Sequence, residues 1–136
     1  MGQNSKAIEA LYTAMGRGDI PFMMANLDPR IVWNEAENFV YADHSPYVGV
    51  ETLLSGLFAR LMGEWDGFAA VPHEIIDGGE TVVALGRYGG VYKATGVKVD
   101  AQFVHVFWFK DGKIATFQQY TDTAQFKDAV SRRAGA

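Results

Sequence analysis

Asp111-Gly112 restricts the fold of this chain more than any other feature. The dipeptide separates two β-prone apolar runs, Val97 to Phe109 and Ile114 to Thr121. A two-residue turn between paired strands needs positive φ at both central positions, which Asp-Gly supplies readily. The two runs are therefore expected to pair as a tight antiparallel hairpin, and the turn sets which residues face each other. Side chains alternate along a strand. Phe103, His105, Phe107 and Phe109 thus share one face, and Val104, Val106 and Trp108 share the other. Simple counting from the turn sets His105 opposite Gln118; a bulge near Gly112-Lys113 would set it opposite Gln119. Both registers stand at this point.

Upstream, two more strands are expected, Phe68 to Ile76 and Thr81 to Tyr92, turning at Asp77-Gly78-Gly79. The first half reads differently. Ile8, Leu11, Tyr12 and Met15 recur at helical spacing, with Asn4 or Ser5 as the cap. Asp19 caps a short second helix with Pro21 in its first turn and Phe22, Met23 and Leu27 toward the core. Asp28-Pro29 reads as a turn and Ile31 to Trp33 as a short strand. A long loop follows from Asn34, with a short strand near Phe39. Leu53, Leu54, Leu57, Phe58 and Leu61 then share one face of a helix from Gly49 to Leu61. Asp122 caps a last helix, with Gln125 at the capping-box position, and a frayed tail begins at Arg132. Helices gathered on one face of a bent antiparallel sheet make an α+β domain with a conical cavity between the layers.

The 136 residues suffice for one domain, with its core from about residue 4 to 130. The absence of cysteine excludes disulfides, Cys-ligated metal and thiol catalysis. A net charge of −4 argues against a nucleic-acid partner. No apolar run approaches the ~20 residues of a membrane span. Lys6 is followed by an amphipathic pattern and not by a signal-peptide core. The expectation is a cytoplasmic protein with neither a membrane nor a nucleic-acid partner.

His105 is the first chemical candidate, a titratable ring on an apolar strand face. It reads either as a proton-transfer group or as a buried neutral imidazole bonded to a carbonyl or a tyrosine. Glu35 closely follows Trp33, and desolvation among rings would raise its pKa toward that of a useful acid or base; the alternative is a solvated loop carboxylate. Glu37, Asp43 and Asp100 are the other acidic candidates, and Asp100 suits a strand-surface pair with a lysine. Trp33, Tyr41, Phe58, Tyr88 and Phe103 are expected to line one cavity with His105. His44, His73 and His105 lack short ligand spacing, so no metal and no cofactor are expected. Val104, Val106, Trp108 and Tyr120 form an uncharged row on the outer sheet face, which predicts a homodimer through that face.

The segment Phe103 to Ile114, with Gln118 to Asp122 after it, resembles the C-terminal hairpin of SnoaL-like proteins in the nuclear transport factor 2-like superfamily. That superfamily includes ketosteroid isomerase, scytalone dehydratase and limonene epoxide hydrolase. The resemblance spans roughly Asn4 to Val130 and implies a cone-shaped α+β barrel, usually dimeric, with an apolar pocket. His105 holds the place of a histidine common in the cyclase branch. Gln119 stands where that branch carries its acid/base aspartate. Tyr12 and Glu35 fall near the isomerase branch's tyrosine and carboxylate base, with Asn34 as the alternative at the base position. The resemblance also favours Gln119 over Gln118 as the pocket-facing amide. It implies a cofactor-free isomerase or lyase in which His105 and Glu35 exchange protons while Tyr12 and Gln119 hold an oxygen of an apolar carbonyl compound. A non-catalytic module that binds a small apolar ligand is the competing class.

Overall fold

The turn at Asp111-Gly112 forms with φ of 51° and 78°. This is a computed structural model, and it describes residues 2–132. Two helices, α1 (Gln3–Arg17) and α2 (Ile20–Ala25), precede strand β1 (Leu27–Asn34). The following loop contains a short 3₁₀ turn, Ala42–His44, and the two-residue strand β2 (Tyr47–Val48). A helical stretch follows as α3 (Val50–Leu53), a π-helical turn (Leu54–Phe58) and α4 (Ala59–Glu64). Then come β3 (Trp65–Gly78), β4 (Thr81–Tyr92), β5 (Lys98–Lys110) and β6 (Lys113–Thr121), and α5 (Thr123–Ser131) closes the chain.

The six strands make one open, curved sheet in the order β2-β1-β6-β5-β4-β3. It is not antiparallel throughout, because β1 runs parallel to β6. The hairpins β3-β4-β5-β6 are antiparallel, as their turns dictate. Phe103, His105, Phe107 and Phe109 are all buried, and with Phe117 and Gln119 they form the face that meets the helices. Ile8, Leu11 and Tyr12 bring α1 onto this face, and Leu53, Leu57 and Phe58 do the same from the central helical stretch. The architecture is an α+β layer with helices on one side.

Several local expectations are corrected. Gly2, and not Asn4 or Ser5, occupies the cap position of α1. The Asn4 amide instead donates to Gly79 O, and Ser5 is buried. Asp28-Pro29 lies within β1 and makes no chain reversal; an irregularity between Leu27 and Val32 absorbs it. The short loop strand is at Tyr47, where it pairs with Trp33, and not near Phe39. Phe22 is exposed, while Met23 and Leu27 are core. Asp19 and Asp122 cap α2 and α5 through Phe22 N–H and Gln125 N–H. The frayed tail expected after Arg132 lies outside the described residues. Among the described residues, no helix is long and apolar enough to cross a membrane.

Candidate active site

A bulge on β6 decides which amide meets His105. Lys110 pairs with Lys113 and Phe109 with Ile114, but Trp108 pairs with Thr116, so Ala115 is the extra residue. The register then sets His105 opposite Gln119. Gln118 points the other way and is half-buried. The bulge falls two residues beyond Gly112-Lys113, within the strand and not at the turn.

His105 is enclosed by rings and bonded through both nitrogens. Phe103 stacks on it at 4.0 Å between centroids. Nδ1 lies 2.6 Å from the Tyr12 hydroxyl, and Nε2 lies 2.5 Å from the Tyr88 hydroxyl. Desolvation pushes the imidazole pKa down to about 3, so the ring is neutral at physiological pH. Of the two readings of His105, this geometry matches the buried neutral imidazole bonded to tyrosines. Burial holds the Tyr12 and Tyr88 phenols well above their ordinary values, so both remain protonated. Gln119 Nε2 donates to the Tyr88 hydroxyl at 2.9 Å, and Gln119 Oε1 accepts from Ala36 N–H at 3.1 Å.

Glu35 sits where β1 gives way to the loop. Its backbone N–H donates to Ser45 Oγ, which helps orient the residue inward. Trp33 Nε1–H donates to Glu35 Oε1 at 3.3 Å. The Trp33 indole is itself held by Phe117, stacked at 3.6 Å, and by Phe58 edge-on at 5.5 Å. Glu35 Oε2 is buried and makes no hydrogen bond among the described residues. Desolvation pushes the carboxyl pKa up to about 8, against smaller opposing pulls from the Trp33 N–H and the Arg60 charge. The neighbouring Asn34 donates instead to Phe117 O, so Glu35 is the inward group of the two.

Glu35, Trp33, Phe58, Tyr88, His105 and Gln119 line one narrow cavity of about 30 Å³, together with Met15, Phe39, Leu57, Leu61, Phe68 and Phe117. Three of the candidates are not on its wall. Tyr41 is turned toward Glu64 and Trp65, donating to Glu64 Oε1 and accepting from the Trp65 indole, so it braces the loop against the start of β3. Phe103 lies behind His105 in the stack. Tyr12 touches His105 from the far side, along α1. Phe117, which shares the strand face of Gln119, is also a wall residue, though nothing in the sequence singles it out; Leu57 and Leu61 read in the sequence only as core. Asp43 is clamped by Arg60 at 2.8 Å, and Asp100 pairs with Arg87 and not with a lysine. Among the described residues, no cluster of three or more metal-ligating side chains forms.

The comparisons agree with this architecture. The sequence profile of the SnoaL-like domain matches residues 8–117. An NTF2-like protein of Burkholderia thailandensis is 33% identical, with 97% of this chain and 100% of that chain covered and a TM-score of 0.90. An NTF2-like protein of unknown function from Burkholderia pseudomallei is 25% identical, with the same coverage and a TM-score of 0.88. TerC, crystallised with polyporic acid, is 22% identical, with 96% and 100% covered and a TM-score of 0.83. Among curated proteins, none matches the chain.

Proposed function

The chain belongs to the SnoaL-like domain family, and from that premise we propose that it isomerises a small apolar carbonyl compound by proton transfer through Glu35. The observation that carries this reading is the Glu35 carboxyl, buried in an apolar cavity with Oε2 unpartnered; at about 30 Å³ the cavity has room for no more than a water, so the reading requires the surrounding side chains to part for the substrate. A carboxyl with a pKa near 8 is well matched to proton transfer at cellular pH. In its ionised form, Oε2 would take a proton from the carbon beside the carbonyl and return it two carbons further on. One carboxylate performs both steps, and the substrate's double bond moves into conjugation without any net proton change. Gln119 Nε2 has a second amide proton beyond the one given to Tyr88, and that proton would steady the enolate oxygen. His105, with both nitrogens engaged, positions Tyr88 and does not exchange protons with substrate. TerC, a fold neighbour, was crystallised with polyporic acid, so a relative takes up a small organic molecule.

The probe is 3-cyclohexen-1-one, whose conversion to the conjugated enone is followed by ultraviolet absorbance. The rate should rise with pH as Glu35 ionises and level off above pH 8, since the reactive form is the carboxylate. Glu35→Gln should lower it by about 10²-fold or more. A Glu35→Gln protein that turns over as fast as wild type would sink the proposal. One observation favours the competing class: of the titratable groups on the cavity wall, His105 has both nitrogens engaged with Tyr12 and Tyr88, so no histidine nitrogen is free to assist Glu35. Ligand uptake with no turnover in either protein would establish a binding module instead.

A further inference from the structure

Arg60, in the first turn of α4, directs its hydrogen bonds at the segment that runs from β1 through β2 and at the π turn before it. Nη1 donates to Asp43 Oδ2 at 2.9 Å, and Nη2 donates to Asp43 Oδ1 at 2.8 Å and to the Tyr47 hydroxyl at 2.7 Å. Nε donates to Gly56 O at 2.6 Å, within the π turn. The guanidinium also lies over the Tyr41 ring, 4.8 Å from its centroid. An exposed ion pair by itself restrains little, but a bidentate pair that is also stacked on a ring and anchored to a backbone carbonyl fixes its partners. Tyr47 packs on the same turn: a side chain at Gly56 would put its Cβ 2.8 Å from Tyr47 Cε1, so only glycine lets the ring come this close.

The loop held in this way supplies Glu35 and Phe39 to the cavity wall. Two short routes run from Arg60 to Glu35. In the first, Asp43 lies two positions from Ser45, whose Oγ accepts from the Glu35 backbone N–H. In the second, Tyr47 is directly opposite Trp33 in the β1-β2 pair, and the Trp33 indole donates to Glu35 Oε1. One route ends on the backbone of Glu35 and the other on its carboxyl.

We propose that Arg60 is the positioning residue of the Glu35 site: its grip on Tyr41, Asp43 and Tyr47 keeps the loop seated and the carboxyl inside the cavity. Arg60 is not on the cavity wall, so it acts through the loop and not on a ligand. Its charge also reaches the carboxyl and favours the ionised form. Lysine would keep that charge but lacks the planar fork that makes the grip, so Arg60→Lys separates the two effects. The groups packed about Glu35 hold their charge state while it titrates: Tyr47, Tyr88 and His105 stay neutral, and Arg60 and Asp43 stay ionised. His44 lies 3.5 Å from Asp43, on the exposed side of the pair. The proposal rests on Glu35 as the working group of the site, and only its rate measurement rests on the isomerase reading.

The test follows the Glu35 carboxyl by carbon-13 NMR in the full chain, in wild type, Arg60→Lys and Asp43→Asn. A released loop lets water reach Oε2, and hydration favours the ionised form. The midpoint should therefore fall from about 8 by about one pH unit or more in both variants. The Trp33 indole N–H signal should move with it. A residue that merely stabilises the fold would lower the urea midpoint and leave the Glu35 titration of the folded chain in place. With 3-cyclohexen-1-one well above pH 8, where the carboxyl is ionised in every protein compared, kcat should fall about tenfold or more in Arg60→Lys. An unmoved Glu35 midpoint in Arg60→Lys would overturn the proposal, whatever the rate does. Asp43→Asn gives the same decision where Arg60→Lys folds poorly, because Asp43 is half-exposed and its replacement leaves Arg60 in place. Midpoints that fall as expected in a protein without turnover would sink the isomerase reading and leave the role of Arg60 standing.

Discussion

The two polar ends of the interior are handled in opposite ways. At the His105 end every polar atom is paired: two phenols, one amide and one backbone N–H close a continuous set of bonds. At the Glu35 end one oxygen is paired with Trp33 and the other with nothing. Burial neutralises both groups, lowering the histidine and raising the glutamate. What separates them is satisfaction. Hydrogen bonds offset the cost of burying the imidazole, while the carboxyl leaves part of that cost standing. A buried group left short of partners is a site where a ligand can supply the missing bond, and a fully bonded one is a brace. The residue that looks most reactive in the sequence, His105, is the brace.

Titration should expose this contrast with the largest effect. Glu35 moves from an ordinary 4.5 to about 8 on folding, so the folded chain keeps a proton that the unfolded chain has lost. Its contribution to stability is present below pH 4.5 and declines as pH rises to 8. His105 moves from 6.5 to about 3, so its contribution is present above pH 6.5 and declines as pH falls to 3. The slopes oppose each other between pH 4.5 and 6.5. Glu35→Gln removes only the alkaline loss. Relative to wild type it should gain roughly 4 kcal/mol between pH 4.5 and pH 8, at about 1.4 kcal/mol per pH unit. Urea midpoints across that range measure it. Parallel curves for the two proteins would mean that Glu35 is ionised in the folded state, and the contrast between the two ends would break.

A second substitution weighs the brace itself. His105→Phe keeps an aromatic ring in the stack with Phe103 but leaves the Tyr12 and Tyr88 hydroxyls without their partner. Tyr12 loses its partner and Tyr88 keeps only the Gln119 amide; an unmet buried hydroxyl costs about 1–3 kcal/mol, so a loss of roughly 2–6 kcal/mol is expected in urea unfolding. Adding Tyr12→Phe should cost less than the sum of the single changes, because both act on the same bond. A cost for His105→Phe below about 1 kcal/mol would show that the bonded end carries no more weight than the open one.

Much of this interior was legible in the sequence, and its limits have physical reasons. Alternation alone set His105 among Phe103, Phe107 and Phe109, and the Asp111-Gly112 turn paired the strands. Which glutamine meets His105 rested on one inserted residue, and Ala115 carries no turn chemistry to announce its bulge. Tyr41 looked like a wall residue because ring content cannot tell a pocket from a brace; its bonds to Glu64 and Trp65 join segments more than twenty positions apart. The parallel pairing of β1 with β6 is equally remote in sequence, and it is what brings Trp33 against Phe117. The π turn at Leu54–Phe58 carries Leu57 and Phe58 into the cavity wall, and a stripe of leucines signals only an ordinary helix.

The smallest effect on the fold should come from the other side of the same strand. Val104 faces Tyr120, Val106 faces Val83, and Trp108 faces Thr81, all turned away from His105. Trp108 and Tyr120 are 39% and 57% exposed, and Val71 and Ile76 on β3 are exposed too. Glu74 and Arg87 share this face, but exposed apolar side chains gathered this way on a small domain are better accounted for by association than by solvent. We propose a homodimer in which two copies of this outer face meet about a two-fold axis, the arrangement in which one patch complements itself. Trp108→Glu tests it and sharpens the contrast between the two interior ends. A charge placed outside the sheet should change monomer stability by less than about 0.5 kcal/mol and leave the Glu35 titration where it was. In sedimentation at micromolar concentration, wild type should run as two chains and Trp108→Glu as one. Wild type running as a single chain would refute the dimer. A Trp108→Glu protein that shifts the Glu35 titration would show that the outer face and the cavity are coupled through the strand, so that the two ends of the interior could no longer be treated as independent of it.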